Sequence, residues 1–343
     1  MAQRQRSGTI RHVLRMGSRQ VRALAAAAAV LVLATGGCAP GHQIQGLRLT
    51  TGNPEGVYHK LGTALAGAWS GRLNIEPPEV LPSHGSPDNL ARLRSGQVDV
   101  AFTAADVAAI DTAEAELGDR SHKPRALARI YDDYLHVVVS ANAPLWRLSD
   151  LRGHRVSIGS NDSGVKVIAT RLLDVAGLTG SGPGGAPSRM TIEHLGLNES
   201  LAALRNGHID AFFWSGGLPT ATVQRAFEEA AATKTPLRLL DLSDVTPAIR
   251  EHYPVYGTAS IPASTYHSLD GPVTTLVVPN FLLVTDQMPE QNAEALTRGL
   301  FDARPELVLA SAAALAIDVR SAIDTGTVPL HPGAMRYYRE IKI

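Results

Sequence analysis

Two stretches of this chain repeat each other in the same order and at nearly the same spacing, and that duplication limits the folds open to it. The first copy is Thr50-Thr51-Gly52-Asn53-Pro54-Glu55-Gly56-Val57-Tyr58, a glycine-bearing loop between a short apolar strand, Ile44 to Thr50, and a helix that begins near Val57. The second is Ser157-Ile158-Gly159-Ser160-Asn161-Asp162-Ser163-Gly164-Val165, again running from a strand, Arg155 to Ile158, through a Gly/Ser/Asn turn into a helix that ends at Gly177. Gly56-Val57 and Gly164-Val165 lie 108 positions apart. A second pair follows. Residues 93–102 and 204–213 share the pattern Leu-Arg-x-Gly-x-(Val/Ile)-Asp-(Val/Ala)-(Ala/Phe)-Phe at an offset of 111, each a helix end, a glycine stop and a buried strand. The chain is therefore expected to form two similar α/β lobes, with ligand outside the carboxyl ends of parallel strands, in the cleft between the lobes.

The repeated loops carry their own chemistry. A strand that turns into a helix leaves the first backbone N–H groups of the helix unpaired, and these, with the helix dipole, favour negative charge. Candidate ligand contacts are Asn53, Glu55, Gly56, Val57 and Tyr58 in the first loop and Ser160, Ser163 and Gly164 in the second. Ser86, followed by Pro87, is expected to cap a further helix. Trp214-Ser215-Gly216 leaves a buried strand where an indole can stack on ligand and glycine lets it approach. Tyr131 stands between the expected strands Ala126 to Ile130 and Leu135 to Ser140, a candidate crossing between lobes. Each of these residues has a plain structural alternative, helix capping for the glycines and serines and core packing for the aromatics. Asp99 and Asp210 are expected to satisfy local backbone N–H groups.

Elsewhere the pattern predicts a helix from Val57 to about Ser70 stopped by Gly71, and another from Ala104 to Leu117. Thr179 to Ser188 reads as an exposed excursion, Pro254 to Tyr266 as a returning connection, and Val273 to Thr285, broken by Pro279, as one or two strands.

The amino terminus is of a different kind. Residues 1–37 hold six arginines and no acid, and lead into the apolar block Ala23 to Leu33, too short to span a bilayer. The block is followed by Ala34-Thr35-Gly36-Gly37-Cys38, which resembles a bacterial lipobox apart from Thr35. That resemblance implies a signal peptide at 1–37, lipidation of Cys38 and a tether over 38–43; the alternative is a plain secretory signal. Without residues 1–37 the chain has 26 basic and 32 acidic residues, a formal charge of −6. An acidic exported chain with one cysteine argues against nucleic acid as a partner.

Six motifs stand in order along the chain: Thr-Gly-Asn-Pro-Glu-Gly-Val-Tyr-His-Lys-Leu-Gly (51–62), His-Gly-Ser-Pro-Asp-Asn-Leu (84–90), Ser-Gly-Gln-Val-Asp-Val-Ala (95–101), Tyr-Asp-Asp-Tyr-Leu-His-Val-Val-Val (131–139), Asp-Leu-Arg-Gly-His-Arg-Val-Ser-Ile-Gly (150–159) and Ile-Asp-Ala-Phe-Phe-Trp-Ser-Gly-Gly-Leu-Pro (209–219). Together they resemble the TAXI family of TRAP-transporter solute receptors. The resemblance implies a two-lobed periplasmic-binding-protein-like α/β fold of type II, with 44–138 plus 262–343 as lobe 1 and 139–261 as lobe 2. It implies a monomeric receptor that closes on glutamate, glutamine, 2-oxoglutarate or a similar small acid and delivers it to a TRAP permease driven by an ion gradient, with no cofactor. Gly52, Gly56 and Tyr58, and Gly159, Ser163 and Gly164, match the family pattern, whereas Pro54, Glu55 and Asp162 depart from it. Carboxylates beside anion cradles oppose a second negative charge, which favours a zwitterionic amino acid over a dicarboxylate.

The histidines show no HExxH or metal-ligand spacing, and Phe213 stands where a G-x-S-x-G nucleophile turn has glycine. An enzyme, such as a secreted hydrolase, is thus disfavoured, while a sensor that presents the solute to a membrane signalling protein needs the same cleft as a transport receptor.

Overall fold

The duplication becomes two halves of one sheet. In a computed structural model of the chain, which describes residues 44–110, 122–180, 190–267 and 269–343, the first copy builds β1 (Arg48–Thr50), α1 (Val57–Leu73), β2 (Glu79–Leu81), α2 (Ser86–Arg94) and β3 (Val100–Ala104). After β4 (Pro124–Ser140), the second copy builds the same series: β5 (Arg155–Ser157), α3 (Gly164–Val175), β6 (Thr191–Glu193), α4 (Leu197–Arg205) and β7 (Ala211–Gly216). In each half the first strand pairs in parallel with the other two.

The repeat extends to side chains. Asp99 Oδ2 accepts from the Arg48 backbone N–H at 2.8 Å, and Asp210 Oδ2 from that of Arg155 at 2.8 Å. Each carboxylate also holds the guanidinium of its arginine, at 3.0 and 2.8 Å. The hydroxyl at the end of each first strand reaches the helix beyond, Thr50 donating to Asn89 Oδ1 at 2.7 Å and Ser157 meeting Ser200 at 2.9 Å. The two aspartates thus do satisfy backbone N–H groups. These are not local ones: they belong to strands 51 and 55 positions away.

The halves are joined by two long antiparallel strands, β4 and β10 (Val273–Thr285). Among the described residues ten strands form one sheet in the order β2-β1-β3-β10-β4-β7-β5-β6, with β8 (Leu237–Leu239) on β4 and β9 (Gly257–Ile261) on β10. The carboxyl half of β10 pairs with β3, and its amino half with β9; β4 pairs with β7 and β8 through its carboxyl half. The sheet is therefore mixed rather than parallel throughout. The two strands expected around Tyr131 are one strand of 17 residues. Polar Asp132 and Asp133 conceal it in the sequence, because Tyr131, Asp133 and Leu135 face inward and Asp132 and Tyr134 outward. Pro279 does not break β10: it stands opposite Asp132, next to a register shift at Asn280/Phe281, the kind of irregularity that accommodates a proline inside a sheet. The returning connection at Pro254 to Tyr266 contains β9.

Two helix details also differ from expectation. Helix α1 continues through Gly71 to Leu73 and ends on Asn74 in a left-handed conformation (φ 52°). Ser86 is the first residue of α2 rather than its cap, which is Gly85. Further helices are α5 (Ala221–Ala232), α6 (Thr246–His252), α7 (Glu290–Asp302), α8 (Arg304–Ala310) and α9 (Pro332–Glu340), and residues 105–110, the described part of the second expected helix, are helical. One hydrophobic core lies between α1, α7, α9 and the sheet, where buried Trp69 donates to the Leu296 carbonyl at 3.1 Å. A smaller core around Phe212, Val223, Phe227 and Tyr266 serves the second half. A third follows β4 and β10 and belongs to both.

The expected signal segment at 1–37, Cys38, the tether 38–43, residues 111–117 of the expected second helix and 181–188 of the excursion lie outside the described residues. Among the described residues no helix is long and apolar enough to cross a membrane.

Candidate functional site

One cavity of about 120 Å³ is lined from both halves, where about 10–15 Å³ suffices for one water molecule. Its walls include the starts of four helices, at Gly56-Val57 (α1), Gly85-Ser86 (α2), Ser163-Gly164 (α3) and Gly196-Leu197 (α4). The halves touch beside it. A Cβ on Gly164 would lie 3.4 Å from Ser86 Oγ, and one on Gly85 3.6 Å from the Gly164 nitrogen. Ser86 uses its hydroxyl across the elements rather than on its own helix, accepting from the Ala104 N–H at 2.9 Å with the Tyr58 hydroxyl 3.4 Å away.

Of the residues expected from sequence, Asn53, Gly56, Val57, Tyr58, Ser86, Tyr131, Ser160, Ser163, Gly164, Trp214, Ser215 and Gly216 line this cavity. Ser163 caps α3, accepting from the Lys166 N–H at 3.2 Å. Trp214 donates from Nε1 to Thr220 Oγ1 at 3.1 Å, and a Cβ at Gly216 would fall 2.7 Å from that nitrogen. Only glycine fits there without displacing the indole. Glu55 is placed elsewhere. Its carboxylate turns away from the cavity wall to Asn198 Nδ2 at 2.7 Å and the Thr222 hydroxyl at 3.5 Å, in the first turns of α4 and α5. Its negative charge is thus met by the second half, and carries no information on the charge of a ligand.

Two acids that sequence reasoning did not single out stand in the cavity wall, Asp106 and Asp133. Asp106 is buried, and its carboxylate is held from the other half, accepting from the Tyr256 hydroxyl at 2.8 Å with Arg171 at 3.8 Å. Burial raises its pKa, opposed by Tyr256 and Arg171. Asp133, 8% exposed, projects from the middle of β4. Burial pushes its pKa up to about 7, opposed by the nearby Asn280 amide and Tyr131 hydroxyl. The amide approaches at a geometry short of a hydrogen bond, so Asp133 Oδ1 and Asn280 Nδ2 are both buried without partners, as is Ser215 Oγ. Asn280 uses its other end, Oδ1 accepting from the Tyr58 hydroxyl. Burial, and next the charge of Asp133, raise the phenols of Tyr58 and Tyr131 well above the usual range, so both remain neutral. The signal for Asp133 is the period-two pattern Tyr131, Asp133, Leu135; Asn280, beside a proline in a long apolar strand, carries no comparable signal.

Among the described residues lining the cavity none is lysine or arginine. No group of three His, Cys, Asp or Glu among the described residues is placed to hold a metal ion. The arrangement can surround a small polar molecule, offer backbone N–H groups to an anionic end and meet a donor with Asp133.

A cleft between two α/β halves, crossed by two long strands, defines a two-lobed α/β protein of periplasmic-binding-protein type. The chain belongs to the NMT1-like family, whose model matches residues 49–341. Among solved structures it is similar to XAC2383 from Xanthomonas citri bound to ATP, at 17% identity over 86% of this chain and 94% of that one, with a TM-score of 0.47. It is also similar to the periplasmic aliphatic sulphonate binding protein SsuA from Escherichia coli, at 17% identity over 86% and 83% of the two chains and a TM-score of 0.45. An ancestral arginine-binding protein bound to arginine matches at 14% identity over 77% and 94%, with a TM-score of 0.43.

Proposed function

We propose that this chain is an extracytoplasmic receptor that captures a small amino acid or organic acid between its lobes and delivers it to a membrane permease. The observation that supports this reading best is the cavity itself. Loops from both copies of the repeat, four helix starts and the two crossing strands meet around one space of small-molecule size. Lobe 1 is read as 44–138 plus 262–343 and lobe 2 as 139–261, with β4 and β10 as the hinge. Ligand would bridge the lobes and stabilise the closed arrangement in which it fits best.

The sequence motifs favour a permease of the TRAP type and a ligand of the glutamate, glutamine or 2-oxoglutarate class. The lipobox-like Gly36-Gly37-Cys38 favours attachment to the outer face of the membrane by lipid at Cys38. The protein is read as a binder and not an enzyme, and turnover of a bound solute would overturn that. The decisive experiment is thermal-shift screening of the mature protein against amino acids and organic acids. Stabilisation by a member of the set is expected, and a set that leaves the melting temperature unchanged removes the small-acid assignment. Cys38→Ser should release the protein from the membrane fraction.

A further inference from the structure

We propose that the group this cavity selects is an ammonium, seated on Asp133, so that the ligand is an amino acid and not the corresponding oxo acid or dicarboxylate. The inference rests on reading the cavity as a solute site, and three observations carry it.

The first is unmet hydrogen-bonding capacity. Asp133 is 8% exposed and lines the cavity, and although the Asn280 amide and Tyr131 hydroxyl stand near its carboxyl, its Oδ1 completes no hydrogen bond. A buried carboxylate oxygen left unpaired is among the costlier groups a fold can hold. Ser215 Oγ, on the neighbouring strand β7, is equally unpartnered and lines the same cavity. An ammonium brings three donors and no acceptor, and two unsatisfied oxygens suit it.

The second is the surrounding surface. Tyr58, Tyr131, Phe213 and Trp214 all line the cavity. Aromatic faces attract a cation through their quadrupole, most strongly where water is excluded. The same faces offer nothing to a second carboxylate.

The third is the balance of charge. The other acid in the wall, Asp106, is already engaged by Tyr256 and Arg171 from the opposite lobe. Among the described lining residues no lysine or arginine stands opposite Asp133. The attraction on offer to an anion is that of the helix starts, which accounts for one carboxylate of a ligand. An amino acid uses both features, with its carboxylate at the helix starts and its ammonium at Asp133. A 2-oxo acid presents a carbonyl oxygen to an acceptor.

The test compares pairs that differ only at this group: L-glutamate with 2-oxoglutarate, L-alanine with pyruvate, and L-leucine with its 2-oxo acid. Each is titrated by calorimetry into the mature protein and into Asp133→Asn. The amino acid of the recognised pair is expected to bind at least 10-fold more tightly than its oxo partner, and Asp133→Asn to lose that preference. Equal or tighter binding of the oxo acids, or a preference unchanged in Asp133→Asn, overturns the ammonium and leaves the receptor reading standing. A chain that binds no member of any pair overturns both. Should Asp133→Asn fail to fold, the comparison on the wild-type protein decides alone.

Discussion

Glu55 and Asn198 join the two halves beside the cavity-lining residues Gly56 and Leu197, the carboxylate of the first loop accepting from the amide of a residue in the first turn of α4 at 2.7 Å. Both side chains are exposed, so the contact is a light clasp and not an anchor. Glu55→Gln and Asn198→Ala should each speed ligand release by about 2- to 5-fold, the range of exposed charged contacts, and the double variant no further. Stopped-flow dissociation measures this; additive effects in the double variant would show that the residues act separately.

Tyr58 and Trp214 approach the cavity from different lobes. Tyr58→Phe removes only the hydroxyl that donates to Asn280 Oδ1 and should weaken binding about 5- to 10-fold, the worth of one hydrogen bond in a closed site. Tyr58→Ala and Trp214→Ala remove ring surface as well and should weaken it about 10- to 100-fold. Circular dichroism should show the fold retained. Unchanged affinity in both alanine variants would take these residues out of the site.

The buried carboxyl of Asp133 should be visible in the stability of the empty protein. Its folded-state pKa is raised to about 7 from 3.8, so the folded chain holds a proton that the unfolded chain releases between those values. Stability therefore falls as pH rises through that window and levels off above about 7. His136, held down to about 4 by burial, acts in the opposite sense over much of the same range, which flattens the wild-type profile. The difference between Asp133→Asn and wild type isolates the carboxyl. It should be small near pH 4 and grow to a few kcal/mol in favour of the variant at pH 8, at about 1.4 kcal/mol per pH unit. Thermal unfolding of the ligand-free proteins in matched buffers checks this, and a difference constant with pH refutes it.

Asp99 and Asp210 should prove equivalent. Each satisfies the backbone N–H and guanidinium of the arginine that opens its lobe's first strand. Asp99→Ala and Asp210→Ala should therefore each cost about 1–3 kcal/mol in chemical denaturation, mostly from the strand N–H left without its acceptor. A large cost at one site and none at the other would mean that the lobes are not built alike at this corner.

Much of the fold was legible because it is written twice. The Leu-Arg-x-Gly motifs mark a helix end and a buried strand in both lobes, and the Gly56-Val57 and Gly164-Val165 loops open helices that face one cavity. What the sequence concealed was long-range. Asp132 and Asp133 make the centre of β4 look like a turn, and only the opposing β10 shows it to be continuous strand. Asn280 is 222 positions from its partner Tyr58. Asp106 is held by Tyr256, 150 positions on. Glu55 reads as a ligand contact until Asn198, 143 positions away, is found beside it. Periodicity and capping rules act within one element; which loops face each other is decided by how β4 and β10 cross.

That crossing has a mechanical consequence. Asp133 on β4 and Asn280 on β10 lie where the strands pass from one lobe to the other, close to the fulcrum about which the lobes would swing. Glu55 and Asn198 are exposed and lie outside the cavity lining, on the loop before α1 and in the first turn of α4. If the lobes swing about the two strands as proposed, a small twist there moves this contact more than it moves Asp133. Discrimination among solutes would then be settled by groups that are in place before closure, and the rate of capture and release separately at the Glu55–Asn198 contact. Selectivity and residence time could be altered independently, each from its own end of the arm.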